Sequence, residues 1–555
     1  MSLIGLRVPL ASLRVCMISL RVFLINLRVC MINMRMCFIN FRMLLKTIVN
    51  TICGTIKAAR RRLYSQMRLL YTYIMAALML MLVSACDDGD TFSMSPDRLL
   101  SFSVDTVRID TVFSTVPSST RSFWVYNRSG ESLRCADVRL AGGNQKGFRV
   151  NVDGTYLSPE LGYKVNDVEI RKGDSIRVFV EVTTPAANAQ EPVEQIDRLL
   201  FNLESGRQQE VVLSAWTWDA DFVRNKVLGR DSTIAAGRPL VVYGMLTVAE
   251  GATLTIEPGA QLFFHADAGM EVQGRLVCRG TADAYVTMRG DRLDRMFDYL
   301  PYDRMSGQWQ GLHFAETSYD NVISYTDIHS CFNGVRADSA DVGRLKVSID
   351  HSTIHNCQGD AVALTCCKAT IVNTLMSNAL GNCLKVDGGD VRVNSCTMAQ
   401  FYPFDAKRGS ALSFSSVTHP LLSFVCDNSI ITGYSSDEMM GLRPDGDDAN
   451  VFEYSFANCI IRTPEVTDEA EKTHFTDVVF EDVKDNTLAF GEKHFLKVDI
   501  DMQDYDFHLA QGSAAIGVAD PQTAESDDRD GNRRDDNPDA GAYEHVGQGE
   551  ETTDQ

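Results

Sequence analysis

The sequence lacks the usual signatures of several chemistries. It has no Cys-x-x-Cys pair, so zinc-knuckle spacing is absent. No glycine-rich phosphate loop and no Ser–His–Asp order stand out, which leaves nucleotide-binding and triad-hydrolase readings without support. No segment sustains a 3.6-residue apolar period, which argues against helical repeats. No acidic residue occurs before Asp87, although the 555-residue chain carries a formal charge of −20. The acid is therefore concentrated downstream, which argues against nucleic acid and anionic polymers as simple electrostatic partners. Such a surface suits a soluble extracellular face, or one that holds divalent cations.

What the chain does have is a repeat. Ile349 and Ile354 lie five residues apart, as do Ile371 with Met376 and Val393 with Met398, each pair 22 residues after the last. Looser copies flank them: Ile323 with Ile328, Val425 with Ile430, and Phe456 with Ile461. Two residues past the opening anchors come His351, Asn373, Ser395, Asp427 and Asn458. Seven past come Asn356, Asn378, Gln400, Thr432 and Thr463. Twenty-two residues at about 3.3 Å each give roughly 70 Å of extended chain, enough for one turn of three short strands. Stacking such turns puts Ile over Ile and Asn over Asn, with Asn tolerating left-handed backbone at a corner. The expected fold is all-β: a right-handed parallel β-helix preceded by a small antiparallel β-sandwich. A plain two-sheet sandwich with accidental spacing is the alternative.

The ends read differently. Arg7, Arg14, Arg21, Arg28, Arg35 and Arg42 recur every seven residues, usually in Leu-Arg-Val. Seven codons are 21 nucleotides, so 1–66 reads as a translated upstream DNA repeat, or otherwise as a basic membrane-active arm. Met67-Arg68 followed by Leu69 to Leu82 reads as a signal peptide over 67–85, too short to span a bilayer comfortably. Val83-Ser84-Ala85-Cys86 resembles the lipobox of bacterial lipoproteins, with Cys86 as the lipidated residue. Asp87, Asp88 and Asp90 follow it, as in the export signal of Bacteroidetes surface lipoproteins. An ordinary cleaved signal peptide with a chance Cys is the alternative. A tether over 86–98 then leads to 99–218, where short alternating strands suggest a sandwich.

The aromatic strand Phe123 to Tyr126, the turn at Ser129-Gly130 and Ile176 to Val182 resemble immunoglobulin-like modules of bacterial surface proteins. Leu254-Thr255-Ile256-Glu257-Pro258-Gly259-Ala260 and Gly274 to Ala282 resemble the opening turns of bacterial right-handed β-helix proteins. Together these imply a Bacteroidetes β-helix repeat lipoprotein, lipid-anchored at the outer membrane or cell surface of a Gram-negative bacterium. The β-helix is expected over 219–465. A closing segment over 466–545 is expected to cover the last turn's strand edges, with a disordered tail at 546–555.

Candidate chemistry is sparse. The insertion between Met288 and Leu312 interleaves Arg292, Asp294, Tyr299, Tyr302, Arg304 and Trp309. Flat rings stack on pyranose faces and forked polar groups bond hydroxyls, so this loop is the candidate glycan site. A loop satisfied by its own Arg–Asp pairs is the alternative. Weak base candidates are His351 and His355 in one turn, and Lys385 beside Asp387 in the next. Asp445, Asp447 and Asp448 are weak calcium candidates; no other cofactor is implied. Cysteines within the turns read as small core fillers, although Cys366, Cys367 and Cys383 are placed to stack. The expected function is a surface lipoprotein that presents a β-helix to a polysaccharide or cell-envelope glycan. A polysaccharide lyase or glycoside hydrolase, and a purely structural surface protein, are the alternatives.

Overall fold

The computed structural model describes residues 42–43, 91–444, 450–481 and 490–546. The chain divides into Met1–Thr91 and Phe92–Gln555, and every strand named below lies in the second unit. The leader, Cys86, all of 1–66 but Arg42 and Met43, and the calcium candidates Asp445, Asp447 and Asp448 lie outside the described residues. No helix among the described residues is long and apolar enough to cross a membrane.

The first strands form a sandwich of two five-stranded sheets. Its logic is plain in Ser175–Val182, where Ile176, Val178, Val180 and Val182 are buried and the residues between them face out. They meet Val125, Val138, Val150, Phe201 and Leu213 in one core. One pairing departs from the antiparallel expectation: Gln208–Trp218 runs parallel to Thr106–Phe113. A parallel pair needs a long connection, and nearly the whole sandwich lies between these two strands in the chain.

From Asp221–Leu228 to Val479–Phe480, 26 strands coil into one sheet whose successive turns pair in parallel. Ile323 registers with Ile349, Ile349 with Ile371 and Ile371 with Val393, and all four are fully buried. Ile328, Ile354, Met376 and Met398 make the matching column on the next face. This is a parallel β-helix with three faces per turn. At the following turn the sequence anchors are off by one. Val393 registers with Cys426 and Met398 with Ile431, so Val425 and Ile430 point outward. A longer turn and a register shift entering Leu421–Asp427 displace the strand.

Counting the face of Leu364 and Val386 as the first, that of Ile349 as the second and that of Ile354 as the third, the chain turns between the second and third on single left-handed residues. Tyr325, His351, Asn373, Ser395, Asn428 and Asn458 have φ between 43° and 53°. Asn428, not Asp427, occupies the corner, as the shifted register requires. The ten cysteines from Cys135 to Cys459 are free, and all but Cys366 are buried. Cys331 and Cys357 sit in adjacent turns with Sγ atoms 3.5 Å apart. Cys367 registers with Gly389, so it does not stack with Cys383.

Of the closing segment expected over 466–545, Phe475–Thr476 and Val479–Phe480 pair with the turn before them and carry the tube past 465, and the described residues from 490 on lie along its side. The hairpin of Phe495–Asp499 with Asp504–Leu509 packs on the third face and buries the outward side chains Leu375, Ala399, Ile430 and Ile460. Each fully buried aliphatic side chain contributes roughly 1.5–3 kcal/mol. The chain then runs back along the corner column as a strap. Asn458 donates to the carbonyl of Val518, Asn394 to that of Thr523, Asn373 to that of Asp527, and Tyr285 to Asp530. Asp528 spends its carboxylate on the backbone N–H groups of Asp530, Asn532 and Glu544, so it organises the strap's own loop.

Candidate functional site

On the third face the hairpin covers only the later turns, and the sandwich meets only the first ones. Phe263 packs there against Phe113 and Trp218 at 5.0 and 5.7 Å between ring centres. Between these covers the face is overhung from one side by the insertion and from the other by the hairpin. The result is a groove of about 270 Å³. Its floor is Thr353, His355, Asn356, Leu375, Ser377 and Asn378; Arg304 supplies one wall, and Gln503 to His508 with Tyr543 the other. Arg304 ties the walls together through Asp504 at 3.2 Å and the carbonyl of Met502 at 2.9 Å.

The floor carries unpaired polar atoms. Thr353 Oγ1 and Asn378 Oδ1 have no protein hydrogen-bond partner, although Thr353 is only 8% and Asn378 only 2% exposed. A buried acceptor left unpaired costs about 1–3 kcal/mol, which a ligand hydroxyl would recover. Opposite them, His508 lies between Asp530 at 2.8 Å and Asp506 at 2.6 Å, with its ring 4.2 Å from that of Tyr543. The hydrogen bond to Asp530, aided by Asp506 against burial, raises the imidazole to about 9, so it is a cation at neutral pH. Burial would raise Asp530, but His508 and Arg529 outweigh it and hold the carboxyl at about 2.

At the other end of the floor lie Asp327, His329 and His355. Asp327 Oδ1 is 2.9 Å from His329 Nδ1 and 3.2 Å from His355 Nε2. Burial works against ionisation of Asp327, yet the two imidazoles overcome it and hold the carboxyl well below its usual range. Burial dominates at His329 and lowers it, despite the facing carboxylate.

Of the residues picked out by sequence, the structure brings Arg304 and His355 to this groove. Arg292, Asp294 and Tyr302 satisfy one another instead: the guanidinium forks onto Asp294 at 2.7 Å and lies 3.9 Å from the centre of the Tyr302 ring. Ser119 of the sandwich also donates to Asp294, so this cluster braces the domain junction. Tyr299 is exposed and stacks on Phe297 at the loop tip. Trp309 is no sugar platform; it is 1% exposed, stacked 4.1 Å from Phe264 in the core, and donates Nε1–H to the carbonyl of His329.

The remaining base candidates do not converge. His351 sits at a corner beneath the strap, stacked on Tyr325 and bonded to Asp350 and Asn373. Lys385 and Asp387 point outward from the first face, where Asp387 meets His419 at 3.3 Å. The same face carries His313 between Glu271 and Asp338, at 2.5 and 2.8 Å. Sequence reading missed the hairpin's contribution. The one signal was the run Leu375, Ala399, Ile430, Ile460 at outward positions, where earlier turns carry Asp327 and Thr353.

No protein-family model matches this sequence, and no curated protein does. Among solved structures, the catalytic unit of a thermostable GH87 α-1,3-glucanase from Streptomyces thermodiastaticus is 11% identical. It covers 64% of this chain and 88% of its own, with a TM-score of 0.24. A PapD-like domain of human CEP192 is 12% identical and covers 24% of this chain and 94% of its own, at a TM-score of 0.15. A family 123 glycoside hydrolase from Clostridium perfringens, described for glycolipid glycan hydrolysis, is 7% identical. It covers 22% of this chain and 25% of its own, also at 0.15. Likeness at these scores carries no functional argument, and the β-helix rests on the register of the sheet itself.

Proposed function

We propose that this chain is a surface lipoprotein that recognises a glycan in the groove between the insertion and the C-terminal hairpin. The observation that carries the reading is the floor: buried, unpaired Thr353 Oγ1 and Asn378 Oδ1 face a site walled by Arg304 and the cationic His508. A polyhydroxylated ligand supplies the donors these acceptors lack, while Tyr505 and Tyr543 add aromatic surface. Lipid attachment at Cys86 is supported by the Val83-Ser84-Ala85-Cys86 sequence and the aspartates after it. Retention on a glycan array, followed by calorimetry, tests recognition. Arg304→Ala and Thr353→Val should each weaken binding about tenfold or more, roughly 1.4 kcal/mol. No retention of any glycan, or unchanged binding by both variants, overturns the reading. Radiolabelled fatty acid should enter the wild type and not Cys86→Ala.

Glycan cleavage in the same groove is the second reading. It is favoured by the adjacency of His508 and Asp506, which both line the groove 2.6 Å apart. Incubation with a polysaccharide panel decides between the two: new reducing ends or unsaturated products mean catalysis, and bound but intact polymer means recognition.

A further inference from the structure

We propose that Asp327, His329 and His355 form a three-ligand site for a divalent transition-metal ion of the zinc type. The sheet geometry builds it. Asp327 and His329 are two apart on one strand and therefore share its outward face, while His329 registers with His355 one turn on. The two imidazoles stack with ring centres 4.8 Å apart, and one ligand atom from each of the three residues lies within 4.8 Å of the others. Around a tetrahedral ion with bonds of about 2.0–2.1 Å, ligand atoms stand about 3.3 Å apart. The Asp327 oxygen is 2.9 and 3.2 Å from the two ring nitrogens, within a few tenths of an ångström of that spacing, and the two nitrogens lie within 4.8 Å of each other.

The donor set selects the ion. Two imidazoles and one carboxylate suit zinc, cobalt, nickel or copper, whereas calcium and magnesium want oxygen alone. Arg289, next in the His329 column, is close enough to disfavour positive charge there, but its own charge is partly met elsewhere. It is turned into the insertion, paired with Asp303 at 3.2 Å and donating to the carbonyl of Arg292. Because His355 also lines the groove, the metal site adjoins the ligand site. The metal site stands on its own geometry and holds whether or not the groove binds a glycan.

The test is titration of the full chain, stripped with chelator, with Co²⁺ and then Zn²⁺. One equivalent of Co²⁺ should saturate a visible absorption of tetrahedral type, and Zn²⁺ should bleach it. Asp327→Asn, which keeps the side-chain shape, and His355→Ala should each weaken Co²⁺ binding at least about tenfold. His313→Gln and His508→Gln, at two other histidine–carboxylate clusters, should leave it unchanged. The proposal falls if wild type shows no saturable uptake, if both ligand variants bind like wild type, or if uptake is lost in His313→Gln or His508→Gln. A melting temperature raised by Zn²⁺ in wild type and not in Asp327→Asn separates a lost site from a lost fold.

Discussion

Asn373 Nδ2 donates to the carbonyl of Asp527, 154 residues further along the chain, at 2.8 Å, while its Oδ1 accepts from Arg534 Nη2 at 3.1 Å. The corner amide is thus turned toward the strap on both sides. Arg534 is the hub: it also donates to the carbonyls of Asp527, Asp539 and Gly541 and pairs with Glu544 at 3.1 Å. Arg534→Ala strands the nearly buried Glu544 and should cost about 3–5 kcal/mol. Asn373→Ala should cost about 1–2 kcal/mol. Since the two share a bond, urea unfolding of the double variant should show less than the sum.

Trp309 and Tyr299 lie in one insertion but on opposite sides of it. Trp309→Ala opens a cavity beside Phe264 and should cost about 3–5 kcal/mol in thermal or urea unfolding. Tyr299→Ala, at an exposed tip, should stay within about 0.5 kcal/mol. Equal losses would contradict the burial that separates them.

His508 makes stability depend on pH in a defined direction. Its folded-state value of about 9 exceeds that of a free imidazole, so its pairing with Asp530 and Asp506 favours folding fully below about pH 6.5. That contribution fades as pH rises through 9. Asp530, held at about 2, acts in the opposite sense: its contribution is present above about pH 4 and fades as pH falls through 2. Unfolding between pH 6 and 9.5 should show the loss in wild type and a flatter profile in His508→Gln. NMR titration of the His508 ring reads the value directly.

The turn cysteines should be inert while the chain is folded. Burial pushes the thiols of Cys278, Cys367 and Cys396 up to about 12, leaving almost no thiolate at neutral pH. Peptide mapping after mild alkylation should find Cys366 as the labelled site among Cys135 to Cys459, and all ten after denaturation. Rapid labelling of Cys357 or Cys426 in the native chain would contradict the packing.

The core was legible because its residues repeat at a fixed interval and nearly all are fully buried. Ile349, Ile371 and Val393 fall in one column, as their spacing required. Legibility stopped where the interval changed. Val425 has the right chemistry for an anchor but sits one residue from Cys426, which takes the place after the longer turn. Arg304 and His355 were readable as polar residues near the tube's flank, but the groove was not. Its second wall comes from the hairpin, which carries no repeat and shares no pattern with the turns it covers. Trp309 misled for a related reason: an indole in a charged loop looks like a platform, and only its packing on Phe264 shows it belongs to the interior.

Coils held only by their neighbours peel from whichever end is free. Here one length of chain, Val518 to Asp530, touches corners from Asn458 back to Tyr285. The coil that carries Asn458 cannot leave without dragging on those in the middle, nor can the strap detach without surrendering bonds in several coils at once. Between Tyr285 and Asn458 the coils should therefore open together, and their persistence should follow the lashing and not the weaker end.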